Sequence, residues 1–189
     1  MRVLSGKAKG RRLYSVKGTN TRPTSDRVKE SIFNILQGNF EGKKVLDLFA
    51  GVGNLGIEAL SRGALETVFV ENNRKALSVL EKNLKNCGFI DQSRTIETTA
   101  AKGINILERS ICRFDFVFLD PPYDSGVLKD TLEILSQSNI LKCNTLIIAE
   151  HSSRDTLEGD MERLTLKDQR RYGITMISFL EKRRIGGEE

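Results

Sequence analysis

Asp47-Leu48-Phe49-Ala50-Gly51-Val52-Gly53-Asn54-Leu55-Gly56, running into Ile57-Glu58-Ala59-Leu60, decides the fold. The apolar run over 44–49 predicts a buried strand, the glycines predict a tight turn, and the residues after them predict a helix. In an open α/β sheet, ligands bind beyond the carboxyl ends of the strands, and a glycine-rich first turn lets a ligand approach the backbone closely. Gly51-x-Gly53-x-x-Gly56 also satisfies the pattern in which a pyrophosphate rests on a helix N-terminus. The glycines alone do not choose between ligands. Asp47 does discriminate, because a carboxylate beside the turn repels a pyrophosphate and suits water or the amino group of a cationic ligand. That leans toward a cofactor without phosphate.

Downstream, short apolar runs alternate with longer helical periods. The expected strands are 44–49, 67–71, 94–97, 114–120 and 145–150, and the clearest helix is 73–86, with Leu77, Leu80 and Leu84 on one stripe before Gly88. Strand-helix alternation implies a doubly wound, mostly parallel sheet with right-handed crossovers. At the end, 163–166 and 174–181 are separated only by 167–173, which predicts a closing antiparallel hairpin. Glu71 ends the second strand, where an acidic side chain accepts hydrogen bonds from both ribose hydroxyls.

Asp120-Pro121-Pro122-Tyr123 follows the strand Phe114-Asp115-Phe116-Val117-Phe118-Leu119 and is the most specific feature of the chain. Two prolines remove two backbone donors and fix φ, leaving carbonyl acceptors held just past a strand end. A carboxylate, a rigid carbonyl and an aromatic face suit a planar amine: the first two accept its N–H bonds and Tyr123 stacks on its ring. For an exocyclic base nitrogen, drawing both hydrogens toward Asp120 and the Pro121 carbonyl helps turn the lone pair toward an electrophile.

The 189 residues fit one domain with a small appendage, and 39% apolar with 29% charged residues support a packed core. The longest apolar run, 116–119, is far short of the ~20 residues that cross a bilayer, and Met1-Arg2-Val3-Leu4 lacks a signal-peptide core, so a cytoplasmic protein with no membrane association is expected. Cys87, Cys112 and Cys143 are odd in number and show no metal-ligand spacing, which predicts reduced thiols and no metal. Of the net charge of +5, residues 1–30 carry +7 and the remainder −2. A basic end on a near-neutral domain is the footprint of a polyanion partner. There, 2–14 reads as a small β-hairpin, and 24–37 as an amphipathic helix with Val28, Ile32, Ile35 and Leu36 inward, Arg27, Lys29 and Asn34 outward, Ser25 or Thr24 as N-cap and Gly38 as the stop. The expected organisation is a basic RNA-contacting extension over 1–40 and a cofactor-binding domain over 41–189.

The combination of Arg22-Pro23-Thr24-Ser25-Asp26-Arg27, Asp47-Leu48-Phe49-Ala50-Gly51, Glu58-Ala59-Leu60-Ser61-Arg62-Gly63-Ala64 and Asp120-Pro121-Pro122-Tyr123 resembles the RsmD family of 16S ribosomal RNA guanine-N2 methyltransferases. The likeness runs from the Arg2 ribbon to Tyr172-Gly173-Ile174-Thr175. It implies a class I, Rossmann-like methyltransferase fold that takes a methyl group from S-adenosylmethionine, whose sulfonium activates it. It also implies a cofactor site from Asp47, Phe49, Ala50, Gly51, Gly53, Glu71, Asn72, Thr99 and Ala100, and a target-base site from Asp120, Pro121, Pro122 and Tyr123. RNA contacts are expected from Lys7, Lys9, Arg11, Arg12, Arg22, Thr24 and Arg27. The implied partner is 16S rRNA in an assembling or assembled small subunit, met by a monomer. Thr99-Ala100 departs from the family, whose members often carry Asp or Asn near the adenine. Glu150 matches an acidic family position, and His151, the sole histidine, is left out of the site because transfer from a sulfonium needs no strong base.

Three other functions share parts of this pattern. A DNA adenine-N6 methyltransferase uses the same amine logic but usually needs a target-reading module for which only about 40 residues remain. A nicotinamide oxidoreductase conflicts with Asp47 at a pyrophosphate site, and a non-catalytic RNA-binding module does not account for Asp120 and Glu71.

Overall fold

The computed structural model describes residues 1–16, 26–37, 40–110, 112–123, 126–155, 157 and 163–183. The expected N-cap of the first helix, its Gly38 stop, Arg22 and Thr24 lie outside these residues. The architecture is mixed α/β, with a seven-stranded, mostly parallel sheet closed by an antiparallel C-terminal pair. The chain divides into two compact units, Met1–Thr99 and Ala100–Glu189.

In the first unit, α1 (Asp26–Ile35) precedes β1 (Lys44–Asp47), α2 (Asn54–Ser61), β2 (Glu66–Glu71), α3 (Arg74–Cys87) and β3 (Ser93–Glu97). The strands lie in the order β3-β2-β1, all parallel, with Asp47 opposite Phe69 and Glu71 opposite Glu97. The helix expected over 73–86 is α3, shifted by one residue. Asn73 caps it through bonds from the Lys75 and Ala76 amides, and Gly88 ends it in the left-handed region. Gly56 lets α2 lie close to the sheet, since a Cβ there would sit 2.2 Å from the Phe69 ring.

In the second unit, α4 (Ala100–Arg109), β4 (Phe114–Leu119), α5 (Val127–Gln137), β5 (Leu141–Ser152), β6 (Leu164–Tyr172) and β7 (Thr175–Lys182) follow. The order is β4-β5-β7-β6, with β4 and β5 parallel and the pairs to β7 antiparallel. Phe114 and Phe118 are fully buried, as are Phe33, Phe40 and Phe69 in the first unit. No helix among the described residues is long and apolar enough to cross a membrane.

The N-terminal ribbon is the expected small hairpin: Arg2 and Arg12 form an antiparallel bridge, the Val3 amide donates to the Arg11 carbonyl, the Gly10 amide to the Val3 carbonyl and the Leu13 amide to the Met1 carbonyl, while the Leu4, Ser5, Ala8 and Tyr14 amides are taken by side chains of α2 and α3. Three expectations need correction. On α1, Lys29 is fully buried rather than outward, drawn in by a carboxylate on α2, while Ile35 is 38% exposed and Phe33 takes its place in the core. β5 begins four residues before the expected 145. The stretch 167–172 is strand rather than connector, so Gly173 and Ile174 alone join β6 to β7.

Candidate active site

The first group of candidate residues lies past the carboxyl ends of β1 and β2. Asp47 is buried, and its Oδ2 accepts the Gly56 amide at 3.0 Å, tying the strand end to the start of α2. Burial pushes its carboxyl up to about 7; the Gly56 amide opposes this, and the nearby negative charge of Glu71 adds to it. Glu71 is half-buried. Its Oε2 accepts the Gly51 amide and its Oε1 the Asn73 amide, both at 2.7 Å, so the carboxylate is held across the loop while each oxygen keeps a lone pair. Gly51 and Gly53 both have positive φ, 54° and 88°. A Cβ at Gly53 would strike Leu80 at 2.4 Å, whereas at Gly51 it would meet nothing within 4 Å. The loop is therefore packed on one side and open on the other.

Phe49 is half-buried, Ala50 is buried with its amide on the Val70 carbonyl, and Asn72 is exposed. Thr99 is exposed just after β3 and Ala100 is buried at the start of α4. Asp47, Gly51, Gly53 and Glu71 are thus joined by direct bonds or adjacent turns.

The raised Asp47 carboxyl has a pH signature. The folded state holds a proton that the unfolded chain, near 3.8, has already released, so this group's contribution to stability is present at low pH and is lost as pH rises through about 7. Asp47→Asn keeps an acceptor for the Gly56 amide without the buried charge. Without cofactor, its melting temperature should gain on wild type by about 5 °C between pH 5 and pH 8. A constant difference across that range, read by calorimetry, would place the Asp47 proton elsewhere.

The second group belongs to the other unit. Asp120 follows β4 half-buried, Pro121 is buried and Pro122 is exposed. Tyr123 is 37% exposed, and its hydroxyl is engaged twice: it donates to Glu150 Oε1 at 3.1 Å and lies 3.0 Å from Thr175 Oγ1. Burial is the main reason its phenol is pushed up to about 12; the bond with Thr175 opposes the rise, and the negative charges of Glu150 and Asp120 add to it. Tyr123 is therefore neutral and fixed at its far end. Glu150, to which the motif reading gave no role, is the buried group that fixes it, from the end of β5. His151 points away from this chemistry, buried with Nε2 on Ser178 Oγ at 2.7 Å.

Lys7, Lys9, Arg11 and Arg12 are all exposed on the ribbon, and Arg27 is exposed on α1. The ribbon is fastened firmly. Ser61 Oγ accepts the Ala8 amide, and the fully buried Asn83 brackets Tyr14, accepting its amide at 2.7 Å and donating to its carbonyl at 3.1 Å. The same Asn83 amide donates to the Val52 carbonyl of the glycine loop at 2.9 Å. Among the described residues no cluster of three metal-ligating side chains occurs.

The family model described as Conserved hypothetical protein 95 matches residues 1–181. A Bacillus subtilis (strain 168) protein named Putative rRNA methyltransferase YlbH is 39% identical, the match covering 97% of this chain and all of the relative. A Haemophilus influenzae protein named Ribosomal RNA small subunit methyltransferase D is 33% identical over 92% of this chain and 90% of its own. A solved structure named Putative methyltransferase yhhF, from Escherichia coli, superposes with a TM-score of 0.86 at 28% identity, covering 98% of this chain and 99% of that one. With the motifs, the strand arrangement and near-complete matches in agreement, the chain belongs to this family of conserved hypothetical protein 95, the RsmD family.

Proposed function

We propose that this chain transfers the methyl group of S-adenosylmethionine to the exocyclic N2 amine of a guanine in small-subunit ribosomal RNA. The observation that carries the reading is the tethered Tyr123, its hydroxyl engaged by Glu150 and Thr175 directly after Asp120-Pro121-Pro122. The names of the relatives, small subunit methyltransferase D among them, support methyl transfer to ribosomal RNA.

The residues present fit the cofactor. Glu71 puts a carboxylate beside a glycine loop that is open at Gly51, and Asp47 adds a second that gains its charge as pH rises through about 7, a setting that favours a cationic amino acid and disfavours a pyrophosphate. Asp47, through its bond to Gly56, sets the loop; Gly51 and Gly53 give the backbone approach; the remaining lone pairs of Glu71 suit a ribose diol. When bound, the cofactor supplies a methyl group activated by sulfonium.

The chain's own part is placement. Asp120 and the Pro121 carbonyl accept the two N–H bonds of the amine, which aims its lone pair. Tyr123, unable to swing because its hydroxyl is engaged, offers a fixed face to the guanine ring. As the methyl carbon–sulfur bond breaks and the new carbon–nitrogen bond forms, Asp120 stabilises the positive charge that develops on nitrogen, and the surplus N–H proton then leaves through Asp120 to solvent. Holding the reactants aligned replaces bimolecular encounter, where effective molarities reach ~10⁵ M or more. The enzyme acts as a cytoplasmic monomer, without metal, on RNA in an assembling or assembled subunit, and the 1–40 extension supplies the electrostatic grip.

Methyl-labelled S-adenosylmethionine is incubated with unmodified small-subunit rRNA, with assembled small subunits and with unmethylated duplex DNA, and the labelled nucleoside is identified. N2-methylguanosine in RNA or subunits is expected. N6-methyladenine in DNA would overturn the partner, and no label anywhere would overturn methyl transfer. Because Arg11 and Arg12 are exposed on a fastened ribbon, changing both to Gln should weaken RNA binding and reduce the slope of log affinity against log salt by about 1–2. An unchanged slope would reduce the ribbon to a solubility feature.

A further inference from the structure

The turn between β6 and β7 takes no part in the chemistry above, yet it stands beside it. Thr175, the first residue of β7, pairs with Tyr172 across the hairpin and places its Oγ1 3.0 Å from the Tyr123 hydroxyl. One residue earlier, Ile174 is 61% exposed, the most exposed large apolar side chain among the described residues. Its backbone is not loose. The Ser153 amide donates to the Ile174 carbonyl at 2.8 Å, the Arg171 Nε donates to the Gly173 carbonyl at 3.0 Å, and Gly173 takes the left-handed φ of 65° that the tight turn requires.

The surroundings are basic. Arg154, Arg170 and Arg171 are exposed, Arg170 with its Nε on Asp168, while Arg163, Lys182 and Arg183 stand at the opposite end of the hairpin. β6 is the last strand of its order, and basic side chains on an edge strand guard it against pairing with another chain. That accounts for charges along β6 but not for an isoleucine held out at the tip. A lone exposed isoleucine is ordinary on a surface. This one is set in a braced turn held by Arg171, with Arg154 directly after the bracing Ser153 in the chain, and it adjoins the residue that bonds the aromatic platform.

We propose that the β6–β7 tip is a second RNA-contacting surface, on which Ile174 packs against the nucleotide next to the target guanine while Arg154 contacts its phosphate. The inference rests on the methyl-transfer reading and adds a residue that handles what the target base leaves behind. A base drawn out of its stack uncovers the face of its neighbour, and apolar side chains serve as wedges at such steps. Ile174 is the described side chain suited to that position in the second unit.

The test uses the full chain with transcribed small-subunit rRNA and with assembled small subunits, comparing wild type with Ile174→Ser, Ile174→Val and Arg154→Gln. Ile174→Ser should weaken affinity for the transcript, and raise KM on the methylated substrate, by roughly tenfold, with kcat within twofold and the salt slope unchanged. Ile174→Val should restore most of the affinity, and Arg154→Gln should lower the salt slope by about one. Unchanged affinity and KM in Ile174→Ser, beside an active wild type, overturns the tip alone. A loss on subunits with none on the transcript also overturns it, assigning Ile174 to a protein neighbour. A wild type that neither binds the transcript nor methylates either substrate overturns the methyl-transfer reading and the tip with it.

Discussion

Replacing Asp120 with alanine is expected to lower methyl transfer by about a hundred- to a thousandfold while leaving affinity for S-adenosylmethionine within a few-fold of wild type. The split follows from where the groups sit in the fold. The residues proposed to hold the cofactor follow β1 and β2, and their mutual bonds, Gly51 amide to Glu71 and Gly56 amide to Asp47, do not involve Asp120. Asp120 instead follows β4, with a buried proline fixing the backbone after it. Losing its carboxylate removes an acceptor for the amine and the negative charge that the developing cation needs, both of which matter more in the transition state than in the ground state. Asp120→Asn should fall between, since it keeps one acceptor oxygen without the charge. Single-turnover transfer and equilibrium dialysis of the cofactor measure the two quantities separately. Undiminished turnover removes Asp120 from the mechanism; a matching loss of cofactor affinity moves it into the cofactor site.

What could be read from the chain and what could not divide along sequence distance. The turn from Asp47 to Gly56 was legible because each of its demands is local: positive φ at Gly51 and Gly53, and room for Phe69 beside Gly56. Glu71 was placed by the end of one apolar run. The carboxylate of Glu150 was visible but not its purpose, because its partner Tyr123 is 27 residues away and Thr175, on the same hydroxyl, is 52 from Tyr123. Strand β6 extends through 167–172, where the sequence reads as a connector, because it is an edge strand with little to bury: after Leu164 its side chains are only half-buried or exposed, so no apolar period marks the strand. Lys29 shows the limit most clearly. A lysine on an amphipathic helix reads as solvated, and nothing within α1 reveals that a carboxylate on α2 draws it inside.

That buried lysine gives the largest expected stability effect. Lys29 Nζ is 2.6 Å from the Arg2 carbonyl, 2.9 Å from Asn54 Oδ1 and 3.3 Å from Glu58 Oε2, so each of its three hydrogens has an acceptor. Glu58, equally buried, also accepts the Leu4 and Ser5 amides at 2.8 and 3.0 Å and the Arg62 Nε at 2.9 Å, and Arg62 lies over the Phe33 ring. One carboxylate thus holds α1, α2 and the basic ribbon together. Glu58→Gln keeps the shape but leaves Lys29 charged in a site that already lowers its pKa through desolvation, now without the attraction of Glu58 that opposes this. Breaking a buried pair from one side costs about 3–5 kcal/mol, and that loss is the expected change in unfolding free energy. Since the folded state of the variant sheds the Lys29 proton more readily than the unfolded chain, raising the pH toward 10 should narrow the deficit. Adding Lys29→Met should recover part of it, because the stranded charge is then gone. Hydrogen exchange at the Leu4 and Ser5 amides should quicken in Glu58→Gln, marking release of the ribbon. A deficit that is flat in pH and unrelieved by Lys29→Met would mean that the cost comes from the lost ribbon bonds rather than from a stranded charge.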